Sequence, residues 1–226
     1  VPIGTGTKII SIINKFKDND INFDYVSNPE FLREGAAVQD FLLPDRIVLG
    51  ATSEKAFRIM QDVYRPLYIN ATPIVHTNVP TAEMIKYASN AFLALKISYI
   101  NEIANLCEAV GADVHIVAQA MGTDGRISPK FLHPGPGFGG SCFPKDTKAL
   151  VTLSKELNEP INTVAAAITT NDRQKERMVV KLSNLMGNKI KGKIIAVLGL
   201  SFKHMTDDIR ESASINMIQG ILEKNG

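Results

Sequence analysis

Residues 135–146 read Gly-Pro-Gly-Phe-Gly-Gly-Ser-Cys-Phe-Pro-Lys-Asp. Cys142, one of two cysteines in the chain, stands directly behind a glycine pair, where backbone can approach a ligand closely. Lys145 and Asp146 follow within one helical turn. Pro144 suits the first helical position, which puts Cys142 at or just before a helix N-terminus. That end of a helix favours anions and activates a thiol. A glycine turn, a thiol, a cation and a carboxylate so close together suit covalent catalysis through sulfur. The plainer alternative is a small buried apolar residue. That is the reading for Cys107, which lies in the apolar run Ile103–Cys107.

Three other segments carry chemistry-bearing residues. Glu83, Lys86, Asn90, Asn101, Asn105 and Glu108 fall on one stripe when residues 81–110 are wound as a helix. Lys86 and Asn90 are i and i+4 and face the same way. Asparagine is a poor helix former, so three on one stripe suggest hydrogen bonding inside the protein, against the commoner reading of a solvated face. The remainder of that helix is apolar and is expected to be buried. Glu30 and Glu34, four apart after Pro29, would share a helical face and could activate water; the alternative is a capping and salt-bridge cluster with Arg33. Lys203 and Arg210 follow an expected strand, where open α/β sheets bind ligands. They suit phosphate, or else Asp207, Asp208 and Glu211 neutralise them.

The elements that must position these residues alternate at the two ends and are helical between. Residues 7–18 read as a short amphipathic helix, Phe23–Ser27 and Arg46–Gly50 as strands, Glu54–Tyr68 as a helix and Pro73–His76 as a strand. Helices are expected at 81–110, 114–121, 144–157 and 161–186, with Gly111 and Gly187 as stops. Lys193–Leu200 reads as a buried parallel strand. The fold class is therefore α/β at both ends around an all-helical centre.

The 226 residues can bury a large core. A net charge of +2 is too small to argue for nucleic acid or an anionic membrane. Two cysteines make no disulfide framework, which points to a reducing, cytoplasmic setting. His76, His115, His133 and His204 are scattered, and no metal-ligand spacing occurs. Lys86, Asn90, Lys96, Asn101 and Glu102 interrupt the apolar stretch 82–110 too often for a membrane span. The start at Val1, with a helix at once, and the end after one strand and one helix suggest an internal piece of a longer protein.

Asn28–Gly35, Ala82–Leu93, Asp124–Leu132, Gly135–Asp146 and Gly199–Ser212, in this order and spacing, together resemble the UDP-glucose 6-dehydrogenases of the nucleotide-sugar dehydrogenase family. The resemblance runs through essentially the whole chain. It implies parts of two Rossmann-like domains: 1–80 as the end of an NAD-binding domain, 81–188 as a helical dimerisation region, and 189–226 as the start of a UDP-sugar-binding domain. The dinucleotide glycine fingerprint is absent, because Ile9 stands where the third glycine would follow Gly4 and Gly6. The chain by itself is therefore expected to be inactive.

The resemblance further implies oxidation of the C6 alcohol of UDP-glucose to a carboxylate with NAD, through a thiohemiacetal and a thioester on Cys142. Lys86 and Asn90 would stabilise the oxyanion, and Asp146 and Glu30 would serve proton transfer and water activation. Phe31, Leu32, Arg126, Phe131, Leu132, Gly137, Phe138, Gly139 and Lys203 would contact the substrate, Arg126 that of a neighbouring subunit. Glu34, Lys145 and Arg210 would contact NAD. A homodimer through the central helices is implied, with no metal, nucleic acid or membrane. The alternatives are a GDP-mannose or other nucleotide-sugar dehydrogenase, a cysteine hydrolase with His133 as its nearest base, and a non-catalytic dimerisation module.

Overall fold

The computed structural model describes residues 1–224, with 68–70 followed by their backbone only. The last two residues of the expected 189–226 segment thus lie outside the described residues. The chain divides into two compact units, Val1–Ser89 and Asn90–Gly226.

The first unit holds helices α1 (Thr5–Phe16), α2 (Ala37–Leu42) and α3 (Glu54–Tyr64), a 3-10 turn at Arg65–Asn70, and strands β1 (Ile47–Gly50) and β2 (Ile74–Thr77). The two strands are parallel, with Ile47 opposite Ile74 and Gly50 opposite Thr77. All four residues of β1 are buried, as an uninterrupted apolar run in a parallel pair requires. Ser53 starts α3 by accepting the Ala56 N–H at 3.0 Å. The expected strand Phe23–Ser27 shrinks to one antiparallel bridge between Ser27 and Gly50. Residues 23–26 have no ladder partner among the described residues, and a strand without one is not a strand.

α4 (Val79–Val110) is 32 residues long, and the unit boundary falls within it. Its Glu83, 2% exposed, reaches the head of α1. The two carboxylate oxygens accept the Gly4 N–H at 2.7 Å and the Gly6 N–H at 2.8 Å. A negative charge is favourable there, because the first N–H groups of a helix have no partner within it. Burial, and then the Glu83 charge, push the Tyr25 phenol above its ordinary pKa.

The second unit contains the rest of α4 with α5 (Val114–Gly122), α6 (Cys142–Glu156), α7 (Asn162–Leu185) and α8 (Ala213–Glu223). α4 and α7 run parallel in a constant register: Ser98 donates to the Ala167 carbonyl, Thr170 to Glu102, and Asn105 to Gln174. Glu108 closes the seam with Arg177 and Lys181. Its hydrogen bonds, first to Lys181 and then to Arg177, hold its carboxyl below the usual pKa.

The stripe on α4 faces inward as hydrogen-bonding wall: Glu83, Asn90 and Asn101 are buried. The expectation that the apolar remainder is buried fails in part, because Phe92, Tyr99, Leu106 and Val110 are exposed. The inward side is taken by amides that bind loops, which leaves one apolar row outside. The expected buried strand at 193–200 is also corrected. The segment is extended, Ile195 and Val197 line a small cavity with Ile218 and Ile221 of α8, and Ile194 and Leu198 are fully exposed. No neighbouring strand exists among the described residues to complete its ladder.

Glu83→Ala is expected to destabilise the chain by about 1–3 kcal/mol, since it orphans two N–H groups at the head of α1. Urea denaturation would show this, and an unchanged midpoint would refute the capping role.

Candidate active site

In the first unit the loop after Ser27 is anchored before it reaches its charged residues. Asn28 donates to the Val48 carbonyl at 2.9 Å and accepts from the Tyr64 hydroxyl at 2.5 Å. The next turn is held by one cation. Lys86 Nζ donates to the Glu30 carbonyl at 2.6 Å and to Glu30 Oε1 at 3.1 Å. Glu30 Oε2 accepts the Leu32 N–H at 2.7 Å. The Phe31 ring lies under the Arg46 guanidinium, 3.8 Å from the ring centre, with Lys86 Nζ at 5.4 Å.

Residues 28–33 form no helix, so Glu30 and Glu34 do not share a helical face. The Glu30 carboxylate bridges the Lys86 ammonium and the Leu32 N–H. The capping part of the alternative is present in the Glu30–Leu32 bond, and Arg33 makes a two-pronged pair with Asp40 at 2.9 and 2.6 Å. Glu34 is half-buried.

In the second unit Cys142 is the first residue of α6, behind Ser141. Pro144 is the third helical residue, still in the turn whose N–H groups need no partner. Cys142 is half-buried, and Ser141 Oγ lies 3.8 Å from its sulfur. No hydrogen bond joins His133 to Cys142 among the described residues. One turn along α6, Asp146 is 1% exposed. Its Oδ2 accepts from Asn90 at 2.6 Å and its Oδ1 from Lys145 at 2.7 Å. A buried carboxylate is tolerated when both oxygens are bonded in this way. Lys86 and Asn90 lie one turn apart on α4.

The glycine loop is gripped from two sides. Asn101 and Gln174 hold Gly135, and Asn171 holds Phe138 by both its N–H (2.7 Å) and its carbonyl (3.1 Å). On the other side Gly140 donates to the Arg210 carbonyl at 2.8 Å. Gly139 sits against the backbone of Glu211, where a Cβ would overlap the Glu211 carbonyl oxygen and carbon. Leu132 is in the core with Ile100 and Ala118, and Phe131 and Phe138 meet Phe143 edge-on. Arg126, outside this packing, is exposed and pairs with Asp124.

A cleft of about 420 Å³ opens at the head of α6, lined by Gly140, Ser141, Pro144, Lys145, Lys148, Arg210 and Glu211. Arg210 pairs with Asp208, and Lys203 lies over the Phe202 ring. Burial raises the Glu211 pKa, yet Lys148 and then Lys175 outweigh it and hold the carboxyl below its ordinary value. Each cation of the cleft pairs with a carboxylate, Lys145 with Asp146, Lys148 with Glu211 and Arg210 with Asp208; for Arg210 this is the neutralising arrangement the sequence left open. No group of side chains suited to a metal occurs among the described residues, and none of the described helices is long and apolar enough to cross a membrane.

The polar residues of α7 escaped the sequence reading. Asn171, Gln174 and Lys175 sit on the stripe that also buries Val164, Ala167 and Val179. Polar side chains at core positions of an amphipathic helix were the signal available.

Residues 1–68 match the model of the UDP-glucose/GDP-mannose dehydrogenase family NAD binding domain, and residues 80–173 match that of its central domain. The chain belongs to this family. It is 52% identical over 223 residues to UDP-glucose 6-dehydrogenase of Rhizobium meliloti, covering 98% of this chain and 51% of that one. It is 50% identical to UDP-glucose 6-dehydrogenase TuaD of Bacillus subtilis, covering 96% and 46%. Among solved structures, a UDP-glucose dehydrogenase from Pyrobaculum islandicum superposes with a TM-score of 0.94 at 39% identity, over all of this chain and 51% of that one. The chain thus spans about half the length of the curated relatives it matches.

Gly139→Ala is expected to cost about 2–4 kcal/mol, because its Cβ meets backbone that cannot turn aside. Thermal unfolding measures this. A melting temperature within a degree of wild type would mean that the 202–212 loop yields freely.

Proposed function

We propose that these residues are part of an enzyme that oxidises the C6 alcohol of UDP-glucose to the carboxylate, with Cys142 as nucleophile and NAD as hydride acceptor. The observation that carries this reading is Cys142 at the first position of α6, half exposed behind a fixed glycine loop, with Asp146 one turn away. The family membership and the two UDP-glucose 6-dehydrogenase relatives support it. The lack of a bond from His133 speaks against a cysteine hydrolase, which needs a paired base.

NAD, when bound, takes up the hydride released at each oxidation. Lys145 and Arg210, which line the cleft at the head of α6, are the residues that would hold its anionic portion, and the resemblance adds Glu34 in the first unit. After the first oxidation, Cys142 Sγ adds to the C6 aldehyde. A carbon–sulfur bond forms, and the carbonyl oxygen takes a proton to give a thiohemiacetal. Loss of a hydride and a proton from that adduct leaves a thioester. Water then attacks the thioester carbon, the carbon–sulfur bond breaks, and carboxylate and thiol are released. Asn90 and Lys86 take the oxyanion-stabilising roles. Asp146 and Glu30 take those of proton transfer and water activation. Phe31, Leu32, Arg126, Phe131, Leu132, Gly137, Phe138, Gly139 and Lys203 are the substrate contacts.

In the whole protein, Cys142→Ala is expected to abolish UDP-glucuronate formation, and Lys86→Ala to slow turnover by about two to three powers of ten. Mass spectrometry of Glu30→Gln after UDP-glucose and NAD should find an adduct on Cys142. Product formation by Cys142→Ala at the wild-type rate would end the covalent reading.

The partner is a second copy. Phe92, Tyr99 and Leu106 are exposed seven residues apart along α4, the spacing of a helix–helix seam. Sedimentation should give a dimer for wild type and a monomer for Leu106→Glu. An unchanged dimer in that variant would place the interface elsewhere.

A further inference from the structure

Phe138, Gly139 and Gly140 are buried, yet residues 135–140 belong to no helix or strand. Buried backbone groups must find partners, and a loop with no ladder must find them outside itself. Both polar groups of Phe138 go to one side chain. Asn171 Oδ1 accepts its N–H and Asn171 Nδ2 donates to its carbonyl.

This side chain is 3% exposed on the interior stripe of α7. An aliphatic residue there would gain burial without a desolvation cost. The carboxamide is satisfied only while both groups of Phe138 point at α7. Rotation of either backbone dihedral breaks one bond, so the pair selects a single loop conformation. Gly137 shows how closely the loop lies on the helix. Its φ is +112°, and a Cβ on it would stand 3.0 Å from Asn171 Oδ1 and 3.1 Å from Lys175 Cγ.

The same helix face reaches the opposite wall, since Lys175 donates to the Glu211 carbonyl at 2.9 Å. That wall accepts the Gly140 N–H through Arg210. α7 therefore sets both sides of the passage through which the chain enters α6. Cys142 comes four residues after Phe138.

We propose that Asn171 is a positioning residue, which fixes the backbone at Phe138 and through it the orientation of the Cys142 thiol at the head of α6. This rests on the reading of Cys142 as the reactive group, and it goes beyond it to the residue that aims the sulfur.

The test uses both cysteines of the chain. Cys107 is 7% exposed in α4 and reports on the global fold, while Cys142 reports on the loop. Iodoacetamide labelling, resolved by mass spectrometry, should be faster at Cys142 in Asn171→Ala than in wild type by about fivefold or more, with Cys107 still protected. Asn171→Leu, which restores bulk without hydrogen bonds, should behave like the alanine variant. Asn171→Asp, which keeps an acceptor for the Phe138 N–H, should recover part of the wild-type rate. A Cys142 rate within about twofold of wild type in Asn171→Ala, or full recovery in Asn171→Leu, would overturn the proposal. If the alanine variant unfolds and labels at both cysteines, amide exchange of wild type decides. The Phe138 N–H should then be protected by about a hundredfold or more, and unprotected exchange would overturn the proposal. Product formation by the whole enzyme with Cys142→Ala tests the nucleophile separately, and the labelling result stands whichever way that falls.

Discussion

The requirement that buried amides be hydrogen-bonded organises this chain. α4 and α7 carry asparagine and glutamine where a plain helical pair would carry leucine. Asn101 and Gln174 end on the backbone of Gly135, Asn171 on that of Phe138, and Asn90 on the Asp146 carboxylate. The helices thereby lend their rigidity to segments that have none of their own. A network of this kind is worth its desolvation cost only when every member is satisfied. Asn101 Nδ2 is one buried atom left without a partner.

A second constraint is charge placed at helix heads. The Glu83 carboxylate occupies the N-terminus of α1, whereas α6 offers its own to the Cys142 sulfur, with no side-chain cap from Ser141. The first arrangement closes a helix end and stabilises the fold. The second leaves an end without a side-chain cap beside the cleft that Lys145, Lys148 and Arg210 line.

Local signals were legible in the sequence. The glycine pair before Cys142, the proline in the first turn of α6 and the polar stripe of α4 all describe features that a few neighbouring residues determine. Most helix limits came within two residues because capping and glycine stops are local, but the helix expected over Glu54–Tyr68 gives way to a 3-10 turn after Tyr64, and α2 was not foreseen. What failed depends on distant partners. Phe23–Ser27 and Lys193–Leu200 have strand composition, but a strand exists only beside another, and composition does not report the neighbour. Glu30 and Glu34 have helical spacing, yet the bonds from Lys86 and to Leu32 turn the chain differently. Asn171 was passed over because a single polar residue in an amphipathic pattern reads as a flaw until its partner is seen.

The grip on residues 135–140 also bears on the order in which the molecule assembles. Its bonds join residues 34, 33 and 39 positions apart, and Lys175 reaches Glu211 across 36 more. Contacts of that separation form late, after the cost of closing the intervening chain has been met. A growing or refolding chain therefore completes its helices first and composes the surroundings of the thiol last. Until the stretch from α4 to the 202–212 loop has come together, Cys142 is an ordinary cysteine at the bare end of a helix.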